Sequence, residues 1–274
     1  MSIRQHTRSI RHQIRHWRTD YYILSYPKCG RTWVRLMLAE AWRHHYELPI
    51  NNPWKLQKHA SRLMGRPCIR VTHDWKTAGL PMSRQRVERD KSAFFNKGVI
   101  LLTRDPRDVV VSNFYQKLYR DRQFNGSLAD FLVDPVFGIQ SVIEYYNIWA
   151  DQRHRVARFM TLRYEDLLAD TAGEIARLLT FIGTGPPSQD ALEAVVESCN
   201  FERMRQREQQ ATTSESGELR PADASDVSTY KTRSGRRGGY LDQVSPEQAA
   251  WMDRIVAESL SDAFSDYKKP LTRR

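Results

Sequence analysis

Tyr21-Tyr22-Ile23-Leu24-Ser25-Tyr26-Pro27-Lys28-Cys29-Gly30-Arg31-Thr32-Trp33 is the stretch on which the reading of the whole chain turns. Its first five residues form a short apolar run of strand formers, ended by Pro27 and Gly30. From Thr32 to about His45, Trp33, Leu36, Met37 and Trp42 fall mostly at helical spacing. Strand, tight loop and helix together open an α/β unit. Such a junction turns unpaired backbone N–H groups and partial positive charge onto one spot. Gly30 lets the backbone approach a ligand closely, Lys28 adds a full charge and Thr32 a hydroxyl donor, which makes an oxyanion cradle. The lysine precedes the glycine, so the G-x-x-x-x-G-K-[ST] order of nucleotide kinases is absent and a kinase is disfavoured. On these letters alone, an ordinary turn with a solvated lysine stays open.

Working outward, further strands are expected at 68–72, 99–103 and 159–163, and helices at about 106–120, 172–182 and 246–264. Alternating strands and helices predict a single α/β domain over 21–274, with a central, mainly parallel sheet flanked by helices. No internal repeat is visible. Between about Glu208 and Gly239 large apolar residues nearly vanish, which predicts a mobile lid. Residues 1–20 form a separate basic amphipathic segment, with Arg4, Arg8, Arg11, Arg15 and Arg18 at helical steps beside Ile3, Ile10, Ile14 and Trp17. That segment suits packing on its own domain or weak contact with a membrane surface.

Composition narrows the classes. At about 150 residues per domain, 274 residues make one large or two small domains. No apolar run approaches the ~18 residues of a membrane span, and no apolar signal region opens the chain. Cys29, Cys68 and Cys199 are too few and scattered for a disulfide framework or a metal centre. A reduced, cytoplasmic enzyme is the expectation. The formal net charge of +11 calls for an anionic partner, which nucleic acid, a membrane surface or a phosphorylated small molecule would each satisfy.

The octamer Tyr26–Trp33 resembles the 5′-phosphosulfate loop, usually Tyr-Pro-Lys-Ser-Gly-Thr-Thr-Trp, of the sulfotransferases that use 3′-phosphoadenosine 5′-phosphosulfate (PAPS). Cys29 and Arg31 replace its usual hydroxyl residues. Three more segments match in the family's order. Arg104-Asp105-Pro106-Arg107-Asp108-Val109-Val110-Val111-Ser112 resembles the 3′-phosphate segment, where Arg104 and Ser112 would bind the phosphate; read alone, it could equally be a salt-bridged helix start. Arg233-Ser234-Gly235-Arg236-Arg237-Gly238-Gly239-Tyr240 resembles Arg-Lys-Gly-x-x-Gly-Asp-Trp, with Ser234 and Tyr240 departing. Val71-Thr72-His73 stands where the family carries its base in Lys-Thr-His.

Over about Tyr21 to Ser245, the resemblance implies a P-loop-like sulfotransferase fold. It further implies PAPS as co-substrate, adenosine 3′,5′-bisphosphate (PAP) as product, no metal, and a small hydroxyl acceptor: alcohol, phenol or sugar. His73 would be the general base, since a histidine near neutral pKa suits removal of the acceptor's proton, with Asp74 in reserve. Lys28 and the loop amides would stabilise the leaving phosphate. The implied nucleotide contacts are Lys28, Cys29, Gly30, Arg31, Thr32, Trp33, Arg104, Ser112, Tyr164, Phe201, Arg233, Ser234 and Gly235. Tyr164, in a Tyr-Glu-Asp segment, would contact the adenine end, and Phe201 and Trp33 would stack on its two faces. The aromatic-rich stretch from Asn125 to Tyr146, with Phe131, Phe137, Tyr145 and Tyr146, together with Trp149, either lines the acceptor cavity or fills the core; its letters leave both open. The family's C-terminal dimer motif is unmatched, with Leu241, Ser245, Pro246 and Ala250 at its places, and the oligomeric state stays open. No nucleic-acid partner is expected under this reading, although a nucleotide kinase and a nucleic-acid-binding protein remain the rival classes.

Overall fold

Four short parallel strands form the centre of the molecule. The structure, a computed structural model, describes residues 14, 16–47, 67–73, 87–185, 187–211 and 219–272. The strands are β1 (Tyr21–Ser25), β2 (Ile69–Thr72), β3 (Gly98–Thr103) and β4 (Arg158–Arg163). Their order is β2-β1-β3-β4, every pair parallel. All six residues of β3 are buried. Successive side chains of a strand point to opposite faces, so both faces of the sheet are covered there. In register, Leu24 lies beside Thr72, and Ser25 beside Leu102. The three neighbouring strands therefore end at one level, and the residues that follow them start from one edge.

The helices around the sheet are α1 (Arg31–His45), α2 (Pro106–Tyr115), α3 (Leu128–Leu132), α4 (Ile139–Gln152), α5 (Tyr164–Ala169), α6 (Thr171–Phe181), α7 (Gln189–Cys199), α8 (Phe201–Gln209) and α9 (Pro246–Ser259). α1 packs against α7, and α2 against α4. α2 begins where a short cap and a proline specify it: Asp105 accepts from the Arg107 N–H at 3.0 Å, and Pro106 fills the first turn.

Two expected helices differ in form. The 106–120 segment is helical throughout, but from Gln116 to Arg120 it widens into a π turn, closed by the Asp121 N–H on the Gln116 carbonyl at 2.9 Å. The helix expected to reach Phe264 stops at Ser259, because Leu260 is extended. Asn147 supplies the reason: its amide donates to the Ser259 carbonyl at 2.7 Å and accepts from the Ser261 N–H at 2.8 Å. A separate 3₁₀ segment then covers Asp262–Tyr267.

The basic segment 1–20 falls largely outside the described residues, although its end shows Ile14 and Trp17 exposed and His16 bonded to the Tyr22 hydroxyl at 2.6 Å. Among the described residues no helix is long and apolar enough to cross a membrane. Of the 208–239 stretch, 212–218 lie outside the described residues. The rest is tethered at both ends. The Glu208 carboxylate, fully buried, accepts from the Lys231 N–H at 2.6 Å, the Thr232 N–H at 2.9 Å and the Thr232 hydroxyl at 2.7 Å. Asp108 accepts from the N–H groups of Gly238 at 2.8 Å and Tyr240 at 2.9 Å.

Candidate functional site

At the carboxyl edge of the sheet, where ligands of open parallel sheets collect, lies a cavity of about 390 Å³. The loop after β1 forms its floor. Lys28 adopts a left-handed backbone (φ 73°), as does Gly30 (φ 94°), which caps α1 without any side-chain hydrogen bond. A Cβ on Gly30 would sit 2.7 Å from the Tyr164 ring, so only glycine fits that turn against that ring. Lys28, Gly30, Arg31, Thr32 and Trp33 all line the cavity.

Cys29, expected among the nucleotide contacts, does not line it. The turn sends it inward, fully buried, with Sγ 3.4 Å from the Tyr146 hydroxyl, and burial pushes the thiol up to about 12.

β3 delivers Arg104. Its backbone is clamped by Tyr146, whose hydroxyl accepts from the Arg104 N–H at 2.9 Å and donates to the Arg104 carbonyl at 2.8 Å. The guanidinium lies 4.4 Å over the Tyr164 ring and donates to the Lys28 and Arg236 carbonyls, each at 3.4 Å. Its Nε is buried without a hydrogen-bond partner among the described residues. A buried donor left unpaired costs stability. Ser112, two turns along α2, lines the same cavity. Arg107 takes the salt-bridged helix-start role instead: it is fully buried, bonded to both oxygens of Asp105 at 2.8 Å and to the Tyr267 carbonyl at 2.6 Å.

The 233–240 segment closes another wall. Arg233 stacks 3.9 Å from the Tyr115 ring centre, and Ser234 and Gly235 line the cavity. A Cβ on Gly235 (φ 60°) would fall 2.2 Å from the Phe201 ring, so that glycine lies flat on it. Phe201 starts α8 and Trp33 is pinned nearby, its indole N–H donating to the Cys199 carbonyl at 2.6 Å. Trp33 meets Tyr164 edge-on at 5.6 Å.

Of the two readings of the aromatic stretch, the core one holds. Phe131, Tyr145, Tyr146 and Trp149 are fully buried, Phe137 nearly so, and they build the core rather than the cavity. In their place the cavity exposes Gln116, Lys117, Asp121, Lys231 and Thr232, none of which a motif signalled. Asp108 was legible only as part of the Arg104–Ser112 segment.

A family model described as "Sulfotransferase domain" matches residues 18–264. The chain belongs to the sulfotransferase family. It is 27% identical over 270 residues to cytosolic sulfotransferase 16 of Arabidopsis thaliana, covering 89% of this chain and 77% of that protein. To mouse sulfotransferase 2B1 it is 27% identical over 256 residues, covering 88% and 71%. In fold it is similar to mouse sulfotransferase SULT7A1, solved in complex with PAP, with a TM-score of 0.61, 19% identity and coverage of 92% and 88%. It is also similar to retinol dehydratase, solved with androsterone and PAP, with a TM-score of 0.58, 20% identity and coverage of 89% and 81%.

The electrostatics of this sulfotransferase site are strongly cationic. Burial, then Lys231 and Arg120, push the Lys28 ammonium down to about 7, and Arg104 adds to that push. His73 follows β2 directly, and its Nδ1 donates to the Ser25 carbonyl at 2.8 Å, which leaves Nε2 as the unprotonated nitrogen. Burial, then Arg31 and Lys117, push His73 down to about 3, so its imidazole is neutral at physiological pH. Asp74 lies outside the described residues. Among the described residues no group of three His, Cys, Asp or Glu could hold a metal ion.

Proposed function

We propose that this sulfotransferase moves a sulfuryl group from PAPS to a hydroxyl of a small acceptor. The observation that carries this is the sharing of one cavity by Lys28 with its loop and by Arg104, Ser112 and Arg233, two cationic stations for two phosphates. Trp33, Tyr164 and Phe201 line the same cavity, and aromatic faces suit an adenine.

The nucleotide supplies an activated sulfuryl group on its 5′-phosphate. His73 takes the acceptor's hydroxyl proton at Nε2 as the new oxygen–sulfur bond forms. Lys28 and the loop amides meet the negative charge left on the 5′-phosphate when the old sulfur–oxygen bond breaks. Arg104, Ser112 and Arg233 hold the 3′-phosphate, with bidentate geometry available to the arginines. Tyr164, Trp33 and Phe201 provide the adenine surfaces. Negative charge on the bound nucleotide raises the low proton affinities of both His73 and Lys28, which brings the base toward its working range and the lysine into its charged form.

One relative, 24% identical over 257 residues, is a 3-beta-hydroxysteroid sulfotransferase of Cavia porcellus, and another is a cytosolic sulfotransferase of Arabidopsis thaliana. That supports a small hydroxyl acceptor here, and we place the reaction in the cytosol by the same kinship. The test is isothermal titration with PAP and, separately, ATP, followed by turnover with PAPS across a panel of hydroxyl acceptors. PAP binds and ATP binds far more weakly; Lys28→Ala lowers kcat about a hundredfold; His73→Ala abolishes turnover. PAP binding weaker than millimolar and unaffected by Lys28→Ala or Arg104→Ala overturns the reading.

A further inference from the structure

The side chain that meets Lys28 comes from the π turn. The ammonium donates to Gln116 Oε1 at 3.1 Å. The same amide donates through Nε2 to Asp121 Oδ1 at 2.8 Å, and the other oxygen of Asp121 accepts from Lys117 Nζ at 2.7 Å. Lys117 is buried, donates further to Gln123 Oε1 at 3.0 Å, and lies 5.4 Å over the Phe137 ring. An ammonium has only donors and a carboxylate only acceptors, so one orientation of the Gln116 amide satisfies both neighbours. The widened turn makes this possible, because its backbone bond from residue 121 to residue 116 brings Asp121 beside Gln116. π turns concentrate at functional positions.

We propose that Gln116 is the positioning residue for Lys28: its carbonyl oxygen engages one ammonium hydrogen and so directs the others at the leaving phosphate, while Asp121 and Lys117 fix the direction of the amide. This role presupposes Lys28 as the leaving-group residue. A neutral acceptor suits the place. The charged groups facing Lys28 are Arg104 from the end of β3, Arg120 and Asp121 from the π turn, Glu208 from α8 and Lys231 beyond it. A carboxylate at 116 would neutralise Lys28 and compete with the nucleotide. An amide holds the ammonium and leaves its charge for the ligand.

Two readouts test this on the full-length enzyme: the pH dependence of Lys28 acylation by an activated ester, followed by peptide mass spectrometry, and kcat with nucleotide KM. Gln116→Leu is expected to move the acylation midpoint to lower pH. It should also lower kcat about tenfold, the rate equivalent of one hydrogen bond to a charged group, with nucleotide KM nearly unchanged. Gln116→Glu moves the midpoint the opposite way, a sign reversal that loss of packing would not produce. Asp121→Asn, at the more exposed end of the network, gives a smaller shift in the direction of Gln116→Leu and carries the test where Gln116→Leu does not fold. Wild-type midpoints and kcat in Gln116→Leu and Asp121→Asn, with Lys28→Ala still crippled, overturn the role of Gln116 alone. A Lys28→Ala enzyme at wild-type kcat overturns the leaving-group reading, and the catalytic part of Gln116 with it.

Discussion

Replacing Glu208 by alanine should loosen an entire wall of the cavity. The carboxylate is fully buried and accepts from two backbone N–H groups and one hydroxyl of Lys231 and Thr232, at 2.6, 2.9 and 2.7 Å, while Arg120 stands 3.4 Å away. Alanine leaves two amides without their acceptor and removes the counter-charge of a largely buried guanidinium, which keeps the Thr229 and Arg220 carbonyls at 2.5 and 2.7 Å. Breaking a buried, hydrogen-bonded ion pair costs about 3–5 kcal/mol. At roughly 2–4 °C per kcal/mol for a chain of this size, the melting temperature should fall by about 10 °C. The damage is local in origin, since residues 231–235 border the cavity. Affinity for PAP should therefore drop with it, and saturating PAP should restore part of the lost melting temperature. Scanning calorimetry with and without PAP, paired with titration calorimetry, measures both. Glu208→Gln, which keeps an acceptor oxygen, should lose less. A Glu208→Ala melt within about 2 °C of wild type, with unchanged PAP affinity, would refute the clasp.

Other perturbations probe separate parts of the site. Gly235→Ala places a methyl 2.2 Å from the Phe201 ring at a left-handed backbone position. It should weaken PAP about tenfold, read by titration, a ground-state loss of ~1–2 kcal/mol. Lys28 sits near pKa 7 without ligand, so at pH 8 it is mostly neutral, and anion binding should recharge it. PAP binding in buffers of different ionisation enthalpy should reveal net proton uptake, absent in Lys28→Met. His73 carries a native pKa of about 3 against 6.5 for the free side chain. Between those values the unfolded chain binds the extra proton, so stability falls as pH drops below about 6.5, by up to ~1.4 kcal/mol per pH unit. Melts across pH 5 to 7 should show a shallower decline in His73→Asn; equal slopes would remove that assignment.

The stretch 21–33 made the fold legible because a buried parallel strand and an amphipathic helix impose different periods, and the loop between them carries its own chemistry. All four strands lie within a residue of their expected limits. That Lys28, His73, Arg104 and Tyr164 share a cavity was readable for a related reason: each stands just beyond a strand end, and a parallel sheet brings those ends together. Two features were not readable. Phe131, Tyr145 and Tyr146 are aromatic whether they line a cavity or fill a core, and only packing decides. Glu208 and Gln116 act through partners 23 and 88 positions away, a separation no local pattern encodes.

The split between Arg104 and Arg107 reaches beyond the cavity. Arg107 is satisfied in part by the carbonyls of Tyr267 and Lys269. Tyr267 and Lys269 thus act as a buttress beneath the helix that presents Ser112. Cutting the polypeptide after Phe264 would leave a dry guanidinium short of acceptors, and the loss would be felt at the opposite end of α2 as poorer grip on a phosphate. Anyone preparing this enzyme for assay should therefore keep Tyr267 and Lys269 in place.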